Sequence, residues 1–293
     1  MIHVLLDHGM GDALSARSFL IYYCNQRKLS RDNVTIYTGR HKILFENDGF
    51  ILKDEVDAPR TLNWYDSFGK FNFPKRFIDH IHRDNYISKN SGIKYDWQHR
   101  EQLNWNIPDI SHLSLPEKFI TVNYGCDAIA IQDSICAKMW PLEYWIELVT
   151  KIGIPCIQIG GGRNTKEIPN VSQNFLNKLS IKESAEVMKR ALFHIDTEGG
   201  LTILNHHLGG KTVVLFGPTA IETFGFNENL NIRYNTCSNS PCDPRQIKGG
   251  HIGIYQDKNK QIYSHKIIYQ IRRGSQGVAA CDPFTFWPDG VQL

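Results

Sequence analysis

The sequence predicts an α/β fold built from two parallel, doubly wound sheets. Two β-α-β series carry that prediction, one opening the chain and one starting near residue 119. A third observation places the chemistry: the run from Phe193 to Thr219 reads as strand, glycine turn, helix and strand. Short apolar runs alternating with helical periodicity are the mark of strands covered on both faces by crossover helices.

Taken in order, Ile2–Leu6 is an apolar run closed by Asp7-His8-Gly9, as expected of a buried parallel strand. From Asp12 to about Lys28, Leu14, Phe19, Ile21 and Tyr22 recur at helical spacing, and Val34–Tyr37 supplies the second strand. Residues 57–115 are rich in aromatic, histidine and charged side chains, and a few helices and long loops are expected there. The second series predicts strands at Phe119–Val122, Cys156–Ile159, Phe193–Ile195 and Thr212–Phe216. Its helices fall at Leu142–Ile152, Ser184–Leu192 and 200–208. Ser180 precedes Glu183 by three residues, the capping-box spacing. Pro141 suits the first turn of a helix, and Trp140 and Trp145 read as packing residues. A hairpin is expected within Ile252–Tyr263. Pro108, Ser111, Ser114 and Pro116 cluster where a domain boundary belongs, setting 1–115 apart from the second β-α-β series.

Bulk properties narrow the class. At 293 residues, 41% hydrophobic and 22% charged, the chain is of globular type with one large domain or two ordinary ones. It contains no run of 18 apolar residues and does not open like a signal peptide, so a cytoplasmic location without a transmembrane segment is expected, with seven reduced cysteines. A net charge of +3 does not by itself argue for nucleic acid and would not repel an anionic acceptor.

Two glycine turns bear on function. Gly199 and Gly200 remove Cβ atoms where a helix begins, so backbone N–H groups can approach a phosphate closely. Glu198 beside them suits hydroxyls better than a second anion. Together they describe a site for a sugar attached to a diphosphate. Near the start, Gly9-Met10-Gly11-Asp12 follows the first strand. A dinucleotide fingerprint is one reading, which would make the chain a nicotinamide-dependent oxidoreductase. Against it, the third glycine is replaced by Ala13, Leu14 and Ser15, and the second strand ends Tyr37-Thr38-Gly39 without a carboxylate for a ribose.

The segment from Phe193 to Thr219 resembles the C-terminal half of the ADP-heptose:lipopolysaccharide heptosyltransferases, glycosyltransferase family 9. Their pattern there is Asp-Ser/Thr-Gly-Leu-x-His, a short helix, and a strand ending Gly-Pro-Thr. Glu198 falls on the acidic position, Gly200 on the glycine and Leu201 on the leucine, while Ile203 stands where many members have histidine. The resemblance covers residues 118–242 and 1–20. It implies a GT-B fold, two Rossmann-like domains facing across a cleft, with 1–115 on the acceptor side and 116–242 holding the nucleotide sugar. A C-terminal extension, 243–293, would pack back toward the N-terminal domain.

By the same resemblance, the chain is an inverting glycosyltransferase using an ADP-heptose-like or other nucleoside-diphosphate sugar, with no cofactor required. Asp12 is the general base, with an N-cap for the first helix as the competing reading. Gly9 and Gly11 turn its loop toward the acceptor. Lys138, just before Trp140-Pro141, would contact the diphosphate or its neighbouring sugar, or is otherwise a solvated lysine. Gly161 and Arg163 would approach base or phosphate, or form a mobile loop, and Thr219 bounds the donor pocket or simply a turn. The acceptor is left as a glycan, a protein side chain or modified nucleic acid, and the oligomeric state is open. A non-catalytic sugar-nucleotide-binding protein remains an alternative. Some relatives carry iron on C-terminal cysteines. Here Cys237, Cys242 and Cys281 give three possible thiolates, with His251 as a conceivable fourth ligand; the set is incomplete, buried free thiols are the default reading and no metal is expected. His206 and His207 are adjacent in a helix, point in different directions and read as ordinary helix residues.

Overall fold

The computed structural model describes residues 2–6, 9–59, 92–125, 140–162, 165–217 and 221–233, together with 255–256 and 262–263. The first sheet is parallel, in the order β1 (Ile2–Leu5), β2 (Val34–Tyr37), β3 (Ile51–Lys53), with Leu5 in register with Tyr37. Between β1 and β2 runs α1 (Met10–Arg27). It ends where Lys28 adopts a left-handed conformation, φ 51°, and turns its N–H back onto the last helical carbonyls.

The second sheet has six parallel strands. β4 (Ile120–Val122) is followed by α2 (Leu142–Lys151), β5 (Cys156–Gln158) and β6 (Gln173–Asn174). The chain then returns through α3 (Ile181–Arg190) to β7 (His194–Thr197), α4 (Gly200–Leu208) and β8 (Thr212–Phe216). A short α5 (Ile221–Phe224) leads to β9 (Leu230–Arg233). Spatial order is β6-β5-β4-β7-β8-β9, so the chain reverses direction between β4 and β7. α3 begins with the predicted capping box: the Glu183 N–H donates to Ser180 Oγ at 3.2 Å, and the Ser180 N–H donates to Glu183 Oε2 at 2.7 Å. β10 (Tyr255–Gln256) and β11 (Ile262–Tyr263) form the expected antiparallel hairpin.

One core joins the halves. Leu14, Phe19, Leu20 and Ile36 from the first half pack in the same buried cluster as Ile157, Val187, Leu201 and Leu204. A second cluster, centred on Trp145 and Leu148 of α2, covers the opposite face of the large sheet. Trp140 and Trp145 are both buried there, as read from the sequence. Residues 92–115 belong to the long loops expected there, and 92–125 are nearly free of helix. They hold no α-helix and only one 3-10 turn, Ser111–Leu113, close to the expected boundary. α1 supplies the hydrogen bonds that secondary structure would otherwise provide. Arg17 donates to the carbonyls of Glu101 (3.2 Å) and Gln102 (2.7 Å), and Ser18 donates to that of His99 (3.2 Å). Arg17 is fully buried and also grips Asp48 with two bonds, 2.6 and 2.8 Å. The rest of the 57–115 expectation, residues 60–91, lies outside the described residues.

Cys24 and Cys156 are buried free thiols, and burial pushes the Cys156 thiol up to about 11. Among the described residues, no helix is long and apolar enough to cross a membrane.

Candidate functional site

In open parallel sheets, ligands sit outside the carboxyl ends of the strands where the order reverses. Here that point lies between β4 and β7. β7 ends at Thr197, then come the buried Glu198 and the cap residue Gly199, whose backbone is extended. A glycine cap has no side chain to occupy the N–H groups of the first helical turn, which therefore remain available to an anion. Thr202 folds its hydroxyl back onto the Thr197 carbonyl at 3.2 Å and ties the helix start to the strand end.

The start of α1 abuts the start of α4. A Cβ on Gly11 would stand 2.7 Å from Ile203 Cδ1 and 3.5 Å from Gly200 Cα. A Cβ on Gly200 would stand 2.9 Å from Met10 Cε and 3.5 Å from the Gly11 nitrogen. The two backbones thus lie in ordinary van der Waals contact, and a side chain on either glycine would have to displace the end of Ile203 or Met10. Asp12 is the next residue. Its competing N-cap reading is corrected, because the cap is Gly9, in extended conformation, and Asp12 lies in the first helical turn. An acid there is favoured by the helix dipole. Its carboxylate is half-buried and makes no hydrogen bond or ion pair with another described residue.

A third turn meets the same place. β5 runs on through Ile159 into Gly160-Gly161-Gly162. Gly160 has φ +105°, and a Cβ on it would lie 2.3 Å from Asn123 Oδ1 and 3.5 Å from Leu201 Cδ1. Asn177 holds the turn, accepting from the Gly162 N–H at 3.0 Å and donating its own N–H to the Gly160 carbonyl at 2.9 Å. A Cβ on Gly161 would meet Asn177 Oδ1 at 2.7 Å.

Beneath these turns is a buried polar ladder that the sequence reading missed. Thr121 Oγ1 lies 2.9 Å from His194 Nδ1, and Asn123 Nδ2 donates to Asp196 Oδ1 at 3.0 Å. His194 Nε2 lies 3.5 Å from Asp196 Oδ2, at the outer limit of a hydrogen bond. Burial pushes the Asp196 carboxyl above its ordinary range, against the pull of His194 and Asn123. The available signal was polar residues at alternate positions of otherwise apolar strands.

The structure thus gathers Gly9, Gly11, Asp12, Gly161, Glu198, Gly199, Gly200 and Leu201 around the ends of three strands. Lys138, Arg163, Thr219, Cys237, Cys242, His251 and Cys281 lie outside the described residues. His206 and His207 sit about 10 Å along α4 from Gly200, by helical rise, and serve packing. His206 stacks on Phe226 at 3.7 Å and pairs with Glu228, while His207 Nδ1 accepts from the Glu101 N–H at 3.4 Å. Among the described residues, no cluster of side chains is arranged to hold a metal ion.

No protein-family model matches the sequence, and no curated protein sequence does either. Solved structures do match. The iron-containing dodecameric glycosyltransferase TibC of enterotoxigenic E. coli superposes with a TM-score of 0.53 and 15% identity over 80% of this chain. TibC has also been solved with ADP-D-β-D-heptose, and that structure superposes at 0.55 with 17% identity. This chain spans 62% of the TibC length. A glycosyl transferase family 9 protein of Veillonella parvula gives 0.54 with 15% identity, covering 79% of this chain and 85% of that one. The E. coli ADP-heptose lipopolysaccharide heptosyltransferase II gives 0.53 with 14% identity, covering 83% and 96%. The chain therefore has the α/β GT-B fold that these glycosyltransferases share, as its sequence led us to expect.

Proposed function

We propose that the chain is an inverting glycosyltransferase that moves heptose or a similar sugar from a nucleoside diphosphate to an acceptor hydroxyl. The observation that carries this reading is the contact between Gly11 and Gly200. It sets a half-buried carboxylate, unpaired among the described residues, one residue from the glycine-opened start of α4.

In the proposed reaction, Asp12 takes the proton of the acceptor hydroxyl, and the acceptor oxygen bonds to the anomeric carbon from the face opposite the diphosphate. The carbon–oxygen bond to the diphosphate breaks, and its electron pair leaves with the phosphate. The N–H groups at the start of α4, with Lys138 and Arg163, receive that charge. Glu198 accepts from sugar hydroxyls, Gly161 and Thr219 border the nucleotide, and Gly9 with Gly11 shapes the acceptor side. The division into 1–115, 116–242 and 243–293, the cytoplasmic location and the cofactor-free reaction belong to this proposal.

The oxidoreductase alternative is less well supported by the same contact. In a dinucleotide fingerprint the second glycine admits a pyrophosphate, whereas α4 itself lies against Gly11. A thermal-shift screen of ADP-, UDP- and GDP-sugars tests the donor class, since a ligand that binds only the folded state raises Tm. A shift with an ADP-sugar and none with NAD is expected. The reverse pattern would replace this reading with the oxidoreductase one. Glycan, protein and modified nucleic acid acceptors are then compared by transfer of labelled sugar.

A further inference from the structure

Strands covered on both faces normally bury apolar side chains. At the point where the strand order reverses, one face of this sheet buries polar side chains instead. Thr121, Asn123, His194 and Asp196 are 0, 8, 1 and 2% exposed. Register pairs Thr121 with His194 and Val122 with Ile195, which sets Asn123 opposite Asp196. Strand alternation puts His194 and Asp196 on one face, and Glu198 follows just after the strand ends. An ionisable pair buried here is costly unless its arrangement serves something.

Asn123 is where three turns meet. Its Nδ2 donates to Asp196, two residues before Glu198, and to the Gly125 carbonyl at 3.3 Å in the turn after β4. Its Oδ1 fills the space that a side chain on Gly160 would need, in the turn after β5. Leu201, from the first turn of α4, borders the same spot. The orientation of the amide comes from chemistry, because the Gly125 carbonyl can only accept.

We propose that Asn123 and Asp196 are positioning residues of the donor site: their hydrogen bond holds the turns after β4, β5 and β7 in one arrangement. It thereby sets Gly160–Gly162 and Glu198–Gly200 against the nucleoside diphosphate. The inference rests on the glycosyltransferase reading for its ligand, but the coupling of the turns stands on geometry alone.

Hydrogen–deuterium exchange of the full chain, paired with calorimetric titration of ADP, tests it on wild type, N123A and the double variant N123D/D196N. In N123A, peptides covering 123–125, 160–162 and 198–201 exchange at least tenfold faster, while the helix Leu142–Lys151 is unchanged. ADP affinity falls at least tenfold. N123D/D196N exchanges donor and acceptor and keeps the bond between 123 and 196, but a carboxylate at 123 cannot donate to the Gly125 carbonyl; it therefore recovers most of the ADP affinity and the slow exchange of 160–162 and 198–201, while 123–125 stays fast. V149A, in the cluster on the far face of the sheet, lowers Tm and leaves ADP affinity within twofold. Should N123A not fold, N123S gives the same readout, because its hydroxyl is too short to span Gly125 and Asp196. Faster exchange in N123A confined to 123–125, or spread evenly through the protein, overturns the inference, as does ADP affinity that follows Tm alone across all variants. A wild-type chain that binds none of ADP, UDP or GDP refutes the glycosyltransferase reading instead, and the exchange pattern still decides whether the turns are coupled.

Discussion

Replacing Gly11 by alanine tests the contact on which the site depends. The new methyl would stand 2.7 Å from Ile203 Cδ1, closer than two carbons can approach, so Ile203 must leave its rotamer or α4 must move. Overpacking of this kind costs about 1–3 kcal/mol, while alanine regains up to about 1 kcal/mol over glycine in a helix. The net expectation is a loss of about 1 kcal/mol. Ile203→Ala removes the obstructing atoms from a partly buried position, at a cost of about 2 kcal/mol, the low end for such truncations. In the double variant the methyl on residue 11 enters space that Ile203 vacated, so the losses do not add. A coupling of about 1 kcal/mol or more is expected from urea denaturation of the four proteins. Additivity within about 0.5 kcal/mol, the behaviour of residues that do not touch, would show that α1 and α4 do not meet at these glycines.

Three other perturbations probe buried or capped groups. Asp48→Asn leaves the fully buried Arg17 without its charge partner and should cost about 3–5 kcal/mol, whereas a loss under about 1 kcal/mol in chemical denaturation would place Arg17 in water. Ser180→Ala removes half of the capping box at α3 and should cost about 1 kcal/mol; an unchanged Tm counts against the cap. Burial, with His206 and Arg17 alongside, holds His207 down to about 3, against an ordinary value of 6.5. Between those values only the unfolded chain binds this proton, so stability is complete above 6.5 and declines toward pH 3 by up to about 1.4 kcal/mol per pH unit. Urea midpoints that do not fall between pH 7 and pH 5 would contradict the burial of this imidazole.

Local chemistry made part of the fold legible in the sequence. β2 and β8 were bounded correctly because Val34–Tyr37 and Thr212–Phe216 are apolar runs between turns. The start of α3 was visible because Ser180 and Glu183 cap it with their own side chains. β6 and β9 were missed: Gln173–Asn174 is two residues long, and Leu230–Arg233 is an edge strand with its leucine exposed. The loop at 92–105 falls among the expected long loops, but its anchoring was not legible, because it comes from Arg17 and Ser18, which lie more than seventy positions away in the chain. In the candidate site, the glycine turns after the strands were legible from sequence. Asn123 and Asp196 were not, because each is ordinary alone and only register brings them together.

The central claim is that Asp12 removes the acceptor proton. It is tested most directly by comparing Asp12→Asn with wild type in transfer rate at saturating donor and in calorimetric affinity for ADP. Loss of a general base lowers the rate by about a hundredfold to ten-thousandfold, with ADP affinity within twofold. An Asp12→Asn protein that retains its full rate, or that loses nucleotide affinity in proportion to rate, would contradict the assignment.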